Sequence, residues 1–132
     1  MFNLFLQCYT NSYFNFSGRA NRKEYIAFIL FYSLINLLIS LVGVVLQINY
    51  INIITLLIQL FSLFPQITLT TRRLHDFGYH GFFQCILLPI LFMIKYTDYN
   101  NTAIIIGLAF GVMLIFFKGT EGHNKYGEPP EY

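Results

Sequence analysis

Residues 25–71 read YIAFILFYSLINLLISLVGVVLQINYINIITLLIQLFSLFPQITLTT, 47 consecutive positions between Glu24 and Arg72 without one charged side chain. As one helix rising 1.5 Å per residue the stretch would reach about 70 Å, more than twice the hydrocarbon thickness of about 30 Å. It therefore has to fold back. Ile48, Asn49, Tyr50 and Ile51 offer the reversal, giving spans of about 22–47 and 52–71 and bringing Glu24 and Arg72 to the same side. Asn21 followed by Glu24 reads as a capping box that starts the first span. Pro65 predicts a kink near the end of the second.

Outward from this hairpin, residues 77–94 and 99–117 are two further stretches free of Lys, Arg, Asp and Glu. At 18 and 19 residues each is just long enough to cross a bilayer. Gly78, His80, Gly81 and Pro89 interrupt the first of them. Residues 1–20 are aromatic but broken by Gln7, Asn11, Ser12 and Asn15, which suits a segment lying at the headgroups. They carry no basic residue before Arg19, so the positive start of a cleavable signal peptide is missing. Residues 118–132, rich in Gly and Pro, form a tail that cannot continue a helix. The expected fold is an all-α integral membrane protein, a single domain over 1–132, with four transmembrane helices in two hairpins.

Composition agrees. Hydrophobic residues make up 56% and charged residues only 11%, against about 25% charged in soluble domains. A net charge of +2, scattered among apolar spans, excludes a nucleic-acid surface. Cys8 and Cys85 lack zinc-ligand spacing and read as free thiols, so no metal or cofactor is expected. On the four-span reading Arg19, Arg22, Lys23, Arg72, Arg73, Lys118 and Lys125 share one face and Lys95 stands alone on the other. The positive-inside rule then puts both termini in the cytoplasm.

Polar residues recur at helical spacing within the hairpin. Ser33, Asn36, Ser40 and Gln47 lie along the first span, and Asn52, Thr55, Gln59, Ser62 and Gln66 along the second. Each set occupies one face, so the two stripes are expected to meet and to pair Ser40 with Gln59 and Asn36 with Ser62. Interhelical pairing is the plain reading of them, and a hydrophilic pathway for a small transporter or channel subunit is the alternative. In the last span Ala103, Gly107 and Gly111 make a small-residue ridge on which a homo-oligomer could pack.

Three polar segments remain: FSGRANRKEY at residues 16–25, RRLHD at 72–76 and NKYGEPP at 124–130. Phe16, Gly18, Arg19, Arg22, Glu24 and Tyr25, then Arg72, Arg73, Leu74, His75 and Asp76, then Asn124, Tyr126, Gly127 and Pro129 fall in one order. In this the chain resembles the domain of unknown function 805 family, the YhaH-like bacterial inner-membrane proteins, over nearly its whole length. It departs from the family pattern at Ile26 and Ala27, where tryptophans are usual, and at His80, Gly81 and Phe82, where the family has Ser-Gly-Trp. The resemblance implies a multi-pass protein of the bacterial cytoplasmic membrane and no particular reaction.

Arg19, Arg22, Glu24, Arg72, Arg73, His75 and Asp76 are thus expected to meet at the cytoplasmic interface, where Arg72 can reach Asp76 four residues on. The cluster reads either as an ion-paired lock between hairpins or as a site for an anionic lipid headgroup or a partner protein. Catalysis is the weakest reading. His75 and Asp76 are helical neighbours pointing about 100° apart and cannot readily share a ligand, and two carboxylates are too few for a two-metal transferase.

Overall fold

A computed structural model describes residues 1–48, 50–86 and 100–130. Four α-helices and a short 3-10 helix make up its regular structure: α1 (Phe2–Thr10), α2 (Arg22–Val45), α3 (Ile51–Asp76), the 3-10 helix Gly81–Ile86, and α4 (Asn100–Phe116). The expected third span, 77–94, begins as a turn and the 3-10 helix Gly81–Ile86 in place of a continuous helix; its residues 87–94 lie outside the described residues, as does Asn49 of the expected reversal.

Two helices, α2 and α3, are long and apolar enough to cross a membrane, and Ile104–Phe116 is a shorter apolar helix. Only 11% of the most apolar window of α2 and 28% of that of α3 is buried within the chain. Helices at the centre of a soluble protein bury such windows against their neighbours; these present Leu37, Leu41, Leu57 and Leu60 outward, each more than half exposed.

The buried centre lies at the charged ends of the long helices. Phe5, Cys8, Ala20, Tyr25, Phe28, Leu69, Leu74 and Leu114 form one cluster. Helix α1 contributes through its spacing, since Phe5, Cys8 and Tyr9 recur at steps of three and four and share a face. That face packs into the fold. Phe5 meets Phe28 and Phe31 of α2, while the Tyr9 ring stacks on Phe61 of α3 at 5.7 Å and its hydroxyl lies 2.8 Å from Ser62 Oγ. The N-terminal segment expected along the headgroups is thus held against both long helices.

Asn21 caps α2 as its sequence suggests, with Oδ1 accepting the Glu24 N–H at 2.7 Å. The Glu24 carboxylate is paired with Arg72. Where α2 turns into α3, Gly43 lies directly under the Ile51 side chain, which leaves no room for a Cβ.

Helix α3 continues through Pro65 for 26 residues. Proline has no N–H, so the carbonyl four residues earlier, that of Phe61, loses its helical donor. Tyr13 supplies another: its hydroxyl donates to Phe61 O at 2.7 Å. The Tyr13→Phe variant should therefore lose about 1–2 kcal/mol of stability. In a Pro65→Ala background the restored N–H takes the carbonyl, and the same change should cost much less. A double-mutant cycle by unfolding in detergent micelles measures that coupling.

The polar stripes do not pair as expected. Among the described residues no hydrogen bond joins a stripe residue of α2 to one of α3. Ser33 donates to Leu30 O, Asn36 to Tyr32 O and Thr55 to Ile51 O, all within their own helices. Ser62 is taken by Tyr9, and Ser40, Gln47, Asn52, Gln59 and Gln66 are exposed. Two causes act together: short polar side chains reach their own carbonyls three or four residues back, and Tyr9 of α1 takes Ser62. On α4, a Cβ added at Gly107 or Gly111 would meet nothing within 4 Å among the described residues.

Candidate functional site

The RRLHD segment is the last turn of α3, and its side chains fan out by about 100° per residue. Arg72 points toward α2, where Nη1 lies 2.9 Å from Glu24 Oε1. Arg73 and Asp76, three apart, point inward together and form an ion pair with side chains 1% and 0% exposed. Asp76 accordingly pairs with Arg73, not with Arg72 as the four-residue spacing suggests. Its other oxygen takes Arg19, whose Nε donates to Oδ1 at 2.9 Å. One carboxylate thus sits between two guanidiniums.

Both arginines spend their remaining N–H groups on backbone carbonyls. Arg19 donates to Gly122 O at 2.7 Å and to Thr120 O. Arg73 donates through Nε to Leu114 O at 2.8 Å, through Nη1 to Ala20 O and through Nη2 to Phe117 O at 2.7 Å. Leu114 and Phe117 carry orphan carbonyls of the α4 terminus, where a cation is also favoured by the helix dipole. The guanidiniums therefore tie the N-terminal segment, α3, α4 and the tail into one knot. Buried charges in this state are stable because they are paired and because both guanidiniums also bond to backbone carbonyls.

The tail closes the other side. Gly78, at φ 79°, ends α3 in the left-handed conformation that glycine tolerates best. Thr120 then donates to Asp76 O through both N–H and Oγ1, at 2.8 and 3.0 Å, and Asn124 Nδ2 donates to His75 O at 3.0 Å. Asn124 also accepts from Tyr126 N and exchanges backbone bonds with Gly127, so NKYG is a tight turn. It lays the Tyr126 ring on His75, centroids 3.7 Å apart and planes 4° from parallel. His75 Nδ1 lies 3.1 Å from Gly18 O, and a carbonyl can only accept, so the proton is on Nδ1. His75 and Asp76 face apart, toward Tyr126 and toward the arginines. Of the tail motif's residues, Pro129 has no contact that enters this arrangement.

Gly119 is a further residue of the site that the motifs did not mark. A Cβ there would overlap the Asp76 carboxylate, which both arginines hold in place. Gly119→Ala should cost about 1–3 kcal/mol, whereas Gly107→Ala, inside a helix and with no described atom within 4 Å of the added Cβ, should be neutral or slightly stabilising. Thermal unfolding of the two variants in the same detergent separates a packing constraint from a general intolerance of substitution.

The arrangement leaves few reactive groups. Cys8 is buried, and burial followed by the nearby Glu24 charge pushes its thiol up to about 12, which keeps it protonated. Cys85 is an exposed free thiol. Among the described residues no three His, Cys, Asp or Glu side chains come together as a metal site. Outside the knot, Lys23 and Lys118 are exposed, and Arg22 is held only loosely, its Nη1 3.4 Å from Phe116 O.

A family model described as a protein of unknown function (DUF805) matches residues 13–128, and the chain belongs to that family. Neither the curated proteins nor the solved structures include a match to it. The match takes in the first two polar segments whole and the third as far as Glu128.

Proposed function

We propose that this DUF805 protein is a four-span module of the bacterial inner membrane, both termini cytoplasmic, whose buried ion pairs form a lock and whose outer cations engage anionic lipid headgroups. One observation carries the reading: the long helices leave their apolar faces uncovered while the charged residues gather at one end. Lipid is the natural cover for such faces. The end that carries Arg19, Arg22, Lys23, Arg72, Arg73, Lys118 and Lys125 is then cytoplasmic.

The headgroup contact belongs to Arg22, Lys23 and Lys118, because Arg19 and Arg73 are 6% and 1% exposed and already committed. The Arg22 to Phe116 contact places the start of α2 beside the end of α4, so these three cations form one edge. Each basic residue near an anionic surface contributes about 1 kcal/mol at low salt.

Native mass spectrometry tests the lipid reading. Phosphatidylglycerol should stay bound to the unmodified protein and be lost when Arg22, Lys23 and Lys118 are replaced by Gln, with the unfolding temperature unchanged. Retention unaffected by the three substitutions would refute it. Reporter fusions at Tyr50 and Asp98 test the topology independently: both should report the periplasm, and a cytoplasmic signal from either would overturn the two-hairpin arrangement.

A further inference from the structure

Ile67, Thr71 and His75 succeed one another at steps of four along α3 and so line one face of it for about 12 Å. With Phe82, Cys85 and Tyr126 they wall a cleft of about 460 Å³, within the usual range of small-molecule sites. The cleft is graded. At the end nearest the lock lies His75, only 8% exposed, its Nδ1–H spent on Gly18 and one ring face covered by Tyr126. Its Nε2, a hydrogen-bond acceptor in this tautomer, has no partner among the described residues. The other end, at Ile67 and Phe82, is apolar. Among the described residues no Lys, Arg, Asp or Glu lines the cleft; the arginines are consumed behind it by Asp76 and by backbone carbonyls, and Lys125 Nζ stands 5.0 Å from the Tyr126 ring.

We infer that this cleft binds an uncharged amphiphile, a single hydrocarbon chain ending in a hydroxyl group of the monoacylglycerol kind. The hydroxyl donates to His75 Nε2, and the chain lies past Thr71 against Ile67 and Phe82. A phosphate or carboxylate oxygen placed at Nε2 would meet its lone pair, so the group seated there is a neutral donor. A ligand without a donor leaves Nε2 unpaired. Thr71 needs nothing from the ligand, since its hydroxyl already accepts from Gln84 Nε2 at 2.9 Å. The inference rests on the membrane reading above, because such a ligand arrives from the bilayer.

The chain contains no tryptophan, and Phe82 is 75% exposed, so Phe82→Trp places a single fluorophore on the cleft. The full chain in detergent micelles is titrated with dibrominated monoacylglycerol, the matching methyl ester and dibrominated phosphatidylglycerol. Saturable quenching should be strongest with the monoacylglycerol. His75→Asn, whose amide nitrogen replaces Nδ1 toward Gly18 while the acceptor is lost, should weaken it about tenfold. Cys85→Phe, which fills the cleft away from the lock, should abolish it. Equal quenching by all three lipids, a preference for phosphatidylglycerol, or indifference to Cys85→Phe would each overturn the inference. Failure here with periplasmic reporters at Tyr50 and Asp98 sinks the cleft alone, whereas failed reporters sink the membrane topology.

Discussion

Asp76→Asn should destabilise the protein by about 3–5 kcal/mol, the range for breaking a buried ion pair from one side. The substitution is nearly isosteric, so the loss comes from charge and proton bookkeeping alone. Asp76 is fully buried and accepts from both Arg19 and Arg73. An amide in its place removes the only negative charge between two guanidiniums and directs an NH2 group at one of them. Among the described residues no other carboxylate pairs with them, and that of Glu24 is taken by Arg72. Unfolding in detergent micelles measures the effect. A loss below 1 kcal/mol would mean that the two guanidiniums reach solvent or other anions.

Arg73→Lys is the second large effect, about 3 kcal/mol, although it preserves the charge. The guanidinium serves Leu114 O, Ala20 O, Phe117 O and the Asp76 carboxylate in four directions. A lysine ammonium is a point charge that cannot reproduce this planar fork, and each buried carbonyl left without a donor costs about 1–3 kcal/mol. Arg72→Lys is the control. Arg72 and Glu24, with side chains 12% and 13% exposed, form a simple pair that an ammonium can also make, so about 1 kcal/mol is expected. Similar losses at the two positions would contradict the distinct roles assigned to neighbouring arginines.

That distinction shows where reading the sequence stops. The uncharged run between Glu24 and Arg72 indicated that those residues converge, and they lie 2.9 Å apart. Asn21 was legible as the cap of α2, whereas α3 runs through Pro65 as one helix. Periodicity failed where tertiary packing chose among partners. Spacing alone allowed Asp76 to pair with Arg72 at four residues or Arg73 at three, and only the inward face of α3, with Arg19 arriving from another segment, selects Arg73. The polar stripes were correct as helical faces but not as partners, because Ser33, Asn36 and Thr55 bond to carbonyls of their own helix and Tyr9 of the nine-residue α1 takes Ser62. The cleft was invisible for a similar reason: its walls come from α3, the 3-10 helix and the tail, and no local motif joins them.

The same geometry changes the meaning of the positive charge at this end of the molecule. The sequence suggested seven groups meeting at one site for an anion or for structure. Arg19, Arg73 and Asp76 now belong to structure, Arg72 and Glu24 to each other, and His75 to the cleft and the tail. On the proposed reading, anion contact falls to Arg22, Lys23 and Lys118.

The central claim is that one buried carboxylate holds three separate chain segments together. Ala20 N donates to Arg72 O at 3.0 Å and Thr120 N to Asp76 O at 2.8 Å, which gives one reporter amide in the N-terminal segment and one in the tail. Amide hydrogen exchange at these two positions, compared between the unmodified protein and Asp76→Asn, tests the claim most directly. The account predicts that both amides lose protection together, by about a hundredfold or more for a loss of 3 kcal/mol. Deprotection of Thr120 with Ala20 unchanged would contradict it, because the tail would then be held by Asp76 and the N-terminal segment by something else.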